Sequence, residues 1–195
     1  IVLFSGNALA RPRPLGDLFS DLTYREKYHD LLSRSGVDAL TGLPDRSSLE
    51  QDGTALFDDA QRKGEPLSVM VIDADHFKQV NDSYGHLEGD VVLKQISARL
   101  RNGIRNTDRL YRFGGEEFIV LATGANHVLA MALAERLRLS VASSVKADNV
   151  RPVTISIGVA TSPEHGTSLL DLIAVADRNL YVAKDAGRNR VKGGS

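Results

Sequence analysis

Leu67-Ser68-Val69-Met70-Val71-Ile72-Asp73-Ala74-Asp75 is a short β-branched run that closes on two acids. Apolar side chains on consecutive positions mark a strand covered on both faces, which requires a sheet with helices packed above and below it. Pro66 introduces the run and cannot lie inside a central strand, so the strand begins at Leu67.

Working outward, a turn-rich segment spans Asp38 to Arg46, and Pro44 suits the first turn of a helix reaching about Arg62. After the strand, the spacing predicts a short helix from His76 to about Asp82 and a longer one from about Glu88 to Arg101. Leu110, Tyr111 and Phe113 precede Gly114-Gly115, and an aromatic and β-branched run from Phe118 to Leu121 follows, which predicts a hairpin over 109–122. Glycines at such a tip can take positive φ and let a ligand approach the backbone. A helix from about Asn126 to Val145, a strand from Val153 to Thr161 and an amphipathic helix from Ser168 to about Ala186 complete the order, with Gly187 as its stop. Strand, helix, hairpin, helix, strand, helix describes an α/β (α+β) sandwich with a mixed central sheet, related to the ferredoxin-like plan.

The first 37 residues read differently. Ile1-Val2-Leu3-Phe4 passes into a segment broken by Pro12 and Pro14, and apolar residues between Phe19 and Ser35 then recur at about helical spacing. We expect the end of an upstream sensory module, a linker and a connecting helix, which either carries dimerisation or simply packs. The domain itself is expected over 38–195. Net charge is −1, which gives no general nucleic-acid footprint. The chain has no cysteine, which excludes disulfides and thiolate metal sites and accords with a cytoplasmic setting. No apolar run reaches the roughly 18–20 residues of a membrane span.

Asp73 ends the central strand, and Glu116 and Glu117 stand at the hairpin tip, where the topology can gather acids from distant sequence. An all-oxygen set of this kind suits Mg²⁺ together with substrate phosphates. Asp75, just before the helix at His76, reads as its N-cap. Free amides at that helix start can hold phosphate. Asn81 offers both donor and acceptor, and Asp90 can accept from the N1–H and amine of guanine, a pairing adenine cannot reproduce. Gly85-His86 reads equally as turn chemistry, with His86 packed or capping.

Five segments in order resemble the motifs of the GGDEF family of diguanylate cyclases: Asp38 to Arg46, Asp73 to Asp82 with Gly85-His86, Gly89-Asp90, Arg112 to Phe118, and Lys184 to Asn189. The resemblance implies a palm like that of class III nucleotide cyclases, and an activity joining two GTP into cyclic di-GMP with release of two pyrophosphates. It implies that Asp73, the carbonyl of Ala74, and Glu116 hold Mg²⁺ or Mn²⁺, two ions per site, and that Asn81 and Asp90 read guanine. His86 falls at the substrate pocket, while Phe77, Lys78, Lys184 and Arg188 meet the phosphates. Glu117 is the general base or a second metal ligand. Glu at the third signature position and Asp45 in place of the usual Asn are departures that keep the chemistry.

Arg105-Asn106-Thr107-Asp108 alone reads as a local ion pair. With five residues between Asp108 and Gly114, it resembles the family's inhibitory product site, with Arg136 as an auxiliary contact. Two oppositely facing GTP molecules imply a two-fold homodimer. The alternatives are a catalytically silent GTP- or cyclic di-GMP-binding regulatory domain, and an RNA-recognition module. The acidic tip and charge balance disfavour the latter.

Overall fold

The computed structural model describes residues 36–148 and 151–194. The expected connecting helix at 19–35 lies outside them. Among these residues the sheet has five strands: β1 (Leu67–Ala74), β2 (Arg109–Arg112), β3 (Glu117–Thr123), β6 (Ile155–Thr161) and β7 (Val191–Gly193), in the order β2-β3-β1-β6-β7. β1 is central and antiparallel to both neighbours, β3 and β6. Only β7 runs parallel, against β6, so the sheet is mixed as predicted.

Every residue of β1 is buried. Met70 and Ile72 join Phe118, Val120, Ile157 and Val159 on one face, under α3 (His86–Gly103) and α4 (His127–Ser144). Val69 and Val71 join Ile119 and Leu121 on the other, under α1 (Arg46–Lys63) and α5 (Leu169–Asp185). Consecutive apolar positions thus feed two cores, each buried aliphatic side chain contributing about 1.5–3 kcal/mol. α5 lies close on β6 because Gly158 has no side chain: a Cβ there would stand 1.9 Å from the carbonyl oxygen of Ala176.

The helix ends follow their caps. Asp45 accepts from the Ser48 amide at 3.1 Å and is the N-cap, so α1 starts at Arg46 and not at Pro44. The Pro44 carbonyl instead accepts from the Arg112 amide at 2.9 Å, tying the segment before α1 to the hairpin. The short helix α2 spans Phe77–Tyr84, and α3 begins at His86, two residues before the predicted Glu88, directly after Gly85 at φ 83°. The last predicted strand starts at Ile155, since Val153 leaves the sheet to bond the Val145 carbonyl at 3.0 Å. A small hairpin of β4 (Lys146–Ala147) and β5 (Arg151–Pro152), and the edge strand β7, were not foreseen. Among the described residues no helix is long and apolar enough to cross a membrane.

Candidate active site

The sheet register sets Asp73 opposite Glu117 on β3 and opposite Ser156 on β6. The Ala74 amide donates to the Glu116 carbonyl at 3.2 Å, which holds the hairpin tip beside the end of β1. Lys184, in the last turn of α5, comes to 2.8 Å from Asp73 Oδ2. Burial raises the Asp73 pKa, and the charges of Glu117 and Asp75 push it further against the opposing pull of Lys184. Burial, and then the charge on Asp73, raises Glu116 likewise. The carboxyl groups of Asp73, Glu116 and Glu117 therefore form one electrostatic cluster, with the Lys184 ammonium beside it. Their oxygens, with the Ala74 carbonyl at the strand end, fit a divalent cation of the Mg²⁺ type.

The tip owes its shape to Arg112. Its guanidinium donates to the carbonyls of Gly114 at 3.3 Å and Gly115 at 2.6 Å, and to both carboxylate oxygens of Asp38 at 2.8 and 3.0 Å. The Phe113 and Gly114 amides close the turn on the Glu117 carbonyl. Neither glycine of the tip takes positive φ, contrary to expectation. A Cβ on Gly114 would lie 2.7 Å from Glu117 Oε2 and would displace that carboxylate; Gly115 borders open space.

Asp75 does not cap α2. Its carboxylate turns away from the helix and accepts from Thr154 Oγ1 and Ser156 Oγ, both at 2.7 Å, and from the Asn189 amide at 2.9 Å. The N-cap is His76, in left-handed geometry with no side-chain bond, so the amides of Phe77 and Lys78 have no protein partner among the described residues. Phe77 is buried and Lys78 exposed. Further along α2, Asn81 Oδ1 is buried without a hydrogen-bond partner. Gly89 makes its space, because a Cβ there would fall 2.0 Å from that oxygen. Asp90 follows, half-buried, at the same α2–α3 junction. Nothing in the sequence pointed to Gly89 as the residue that admits Asn81. His86 and Arg188 are exposed, and neither side chain is bonded to the acid cluster.

Arg105 and Asp108 form no ion pair. Asp108 Oδ2 accepts from the Arg105 amide at 2.9 Å, which leaves the Arg105 guanidinium exposed. Arg105, Asp108 and Arg136 together line a cavity of about 310 Å³ over α4, and Arg136 is held by a 2.6 Å bond to the Gly103 carbonyl. A larger cavity of about 700 Å³ lies between the tip and α1, bounded by Asp38, Arg46, Glu50 and Arg112, and does not include the acid cluster. At the opposite end of the sheet, His127, Glu164 and His165 bring potential ligand atoms within 4.8 Å of one another. His165 Nδ1 there accepts from the Thr161 amide at 3.0 Å, which leaves the proton on Nε2, 3.2 Å from the Gly194 carbonyl. Both nitrogens are used, and the group fastens the C-terminal strand.

Residues 35–190 match the family model described as diguanylate cyclase, GGDEF domain. Diguanylate cyclase DosC of Escherichia coli (strain K12) is 38% identical over 159 residues, 80% of this chain and 35% of DosC. The solved GGDEF domain of TpbB (YfiN) from Pseudomonas aeruginosa is 34% identical, covers 82% of this chain and 94% of its own, and superposes with a TM-score of 0.77. The coiled coil and GGDEF domain of DgcB from Caulobacter crescentus, solved in complex with c-di-GMP, is 26% identical, covering 92% of this chain and 97% of its own, with a TM-score of 0.75. The chain spans about a third of DosC, and under half of the other curated relatives it matches.

Proposed function

The chain belongs to the GGDEF-domain family of diguanylate cyclases, and on that footing we propose that it condenses two GTP into cyclic di-GMP with release of two pyrophosphates. The observation that carries this reading is the meeting of Asp73 and Glu117 across the β1–β3 ladder, with Glu116 tied to the end of β1 and Lys184 against Asp73. In each of the two steps the 3′-oxygen of one nucleotide bonds to the α-phosphorus of the other, and the bond from that phosphorus to pyrophosphate breaks. Asp73, Glu116 and the Ala74 carbonyl would hold Mg²⁺ or Mn²⁺, two ions per site. Such ions supply charge neutralisation for the phosphoryl oxygens and the leaving group.

The chain's own residues do the rest. The open amides of Phe77 and Lys78 and the cations Lys184 and Arg188 bind phosphate oxygens. Asn81 and Asp90 select guanine, with the unpartnered Asn81 oxygen as the acceptor in waiting, and His86 borders the pocket. Glu117 takes the 3′-hydroxyl proton or serves as a second metal ligand. One domain holds one GTP, so two subunits face each other in a homodimer. The cavity at Arg105, Asp108 and Arg136 takes cyclic di-GMP as a feedback inhibitor, the bidentate fork of Arg105 matching the acceptor edge of guanine. GTP as substrate implies a cytoplasmic setting, and an upstream sensory module would govern dimerisation.

The test is to incubate the chain with GTP and Mg²⁺, separate the nucleotides by chromatography and run Glu117→Ala in parallel. Cyclic di-GMP is expected from the parent chain and not from the variant. No product at high protein concentration overturns the proposal, and equal product from both takes Glu117 out of the chemistry.

A further inference from the structure

Asp75 is buried, 4% exposed, and the three hydrogen bonds to its carboxylate join parts of the chain far apart in sequence. Thr154 comes from just before β6 and Ser156 from its start, and the Asn189 amide comes from the segment after α5. Asn189 is held a second time, its Oδ1 accepting from Arg138 Nη1 on α4 at 2.6 Å, while Arg138 is itself paired with Glu135. A capping aspartate needs none of these partners.

The segment so held is strained. Gly187, Arg188 and Asn189 have φ of 114°, 61° and 45°, three successive residues in the left-handed half of conformational space. Glycine adopts that region freely and asparagine tolerates it, but arginine rarely does, and such geometry persists only where the surroundings over-determine it. Here the Arg188 amide bonds the Ala183 carbonyl at 3.1 Å on one side, and the Asn189 amide bonds Asp75 on the other. Lys184, one turn before, is anchored on Asp73. Two aspartates a single residue apart on the end of β1 thus fix both ends of the segment that carries Lys184 and Arg188.

We infer that Asp75 is a positioning residue: it clamps the left-handed turn Gly187–Asn189 to the end of β1 and so aims Lys184 and Arg188 at the β- and γ-phosphates of the nucleotide. This rests on the proposed use of GTP, which assigns those two cations to phosphate. A purely structural aspartate would affect all nucleotides alike. A clamp on the phosphate-facing turn affects a triphosphate and spares a monophosphate, because the guanine contacts at Asn81 and Asp90 lie on different elements, α2 and α3.

Equilibrium binding of the α,β-methylene analogue of GTP and of GMP, with Mg²⁺ in excess, is measured for the parent chain, Asp75→Asn and Arg138→Ala, with melting temperatures alongside. Asp75→Asn is expected to weaken the triphosphate about tenfold and GMP by less than about twofold; Arg138→Ala shows the same selectivity at about threefold. Unchanged triphosphate affinity in the variants, or an equal loss for both nucleotides, overturns the inference. Should Asp75→Asn fail to fold, the triphosphate-to-monophosphate ratio in Arg138→Ala decides alone. If the parent chain binds neither nucleotide, the proposed function fails rather than the clamp.

Discussion

Lys184 Nζ stands 2.8 Å from Asp73 Oδ2, so the end of α5 delivers an ammonium that touches the buried acid. It does not balance the cluster, because burial still raises Asp73, and Glu116 is raised as well. A carboxyl whose folded pKa lies above its unfolded value near 3.8 favours the protonated folded state; its contribution to stability fades as pH climbs from that value through the folded pKa. Above that range the ionised Asp73 and Glu116 therefore cost stability, which a bound divalent cation would restore. Mg²⁺ should raise the melting temperature at pH 7.5 and raise it less at pH 5, where protons compete. Asp73→Asn should abolish that shift, melt no lower than the parent without cation, and lose turnover by at least ~100-fold. Scanning fluorimetry and pyrophosphate release measure the two effects.

Gly89→Ala separates the proposed nucleotide pocket from the helix that carries it. In a helix interior alanine is favoured over glycine by about 1 kcal/mol, so the fold gains. The new Cβ, however, would fall 2.0 Å from Asn81 Oδ1 and must expel that side chain. The KM for GTP should rise about tenfold or more, as expected for a lost base contact, with kcat little changed and the melting temperature maintained or raised. Steady-state kinetics with a parallel melt would show a pure kcat loss if Asn81 acted on the chemistry instead.

Arg112 joins the turn before α1 to the hairpin through Asp38, and both side chains are largely buried, 13% and 22% exposed. Burial pushes the Asp38 pKa up, but the bonds from Thr41 and Arg112 outweigh it and hold the carboxyl below its usual range. The corresponding stabilisation is fully present above the unfolded pKa of about 3.8 and is lost as pH falls through the lower folded value. Arg112→Ala should cost about 1–3 kcal/mol in urea denaturation at pH 7, and the gap to the parent chain should narrow below about pH 4.

Product control can be tested at the 310 Å³ cavity. The Arg105 guanidinium is exposed and forms no salt bridge among the described residues, so Arg105→Ala should leave the melting temperature unchanged. The inhibition constant for added cyclic di-GMP should rise by at least ~10-fold through loss of the bidentate contact. Asp108→Ala differs, since it also strands the Arg105 amide and should lower stability by about 1 kcal/mol.

The central strand was legible because burial on both faces leaves a mark in consecutive side chains, and Val69 to Ile72 carry it. The edge strand β7 is three residues long and half-buried, so no periodicity betrays Val191–Gly193. The acids of the cluster could be named, but not their electrostatics, which depend on Lys184 arriving 111 positions after Asp73. Asp75 shows where local reasoning fails. An aspartate before a helix is ordinarily its cap, and only partners 79 to 114 positions away draw it elsewhere. The same displacement leaves the start of α2 open, so the misreading and the vacant amides have one cause.

The turn at Gly114-Gly115-Glu116 has a polarity its side chains conceal. Arg112 takes the carbonyls of Gly114 and Gly115, and the Ala74 amide takes that of Glu116. The amides of Gly115 and Glu116 have no partner among the described residues. Every backbone acceptor of the tip is thus satisfied from within, while two donors are left open among the described residues. A turn that spells acid in its sequence is electropositive along its main chain, and an anionic oxygen passing over the glycines would meet hydrogen rather than oxygen.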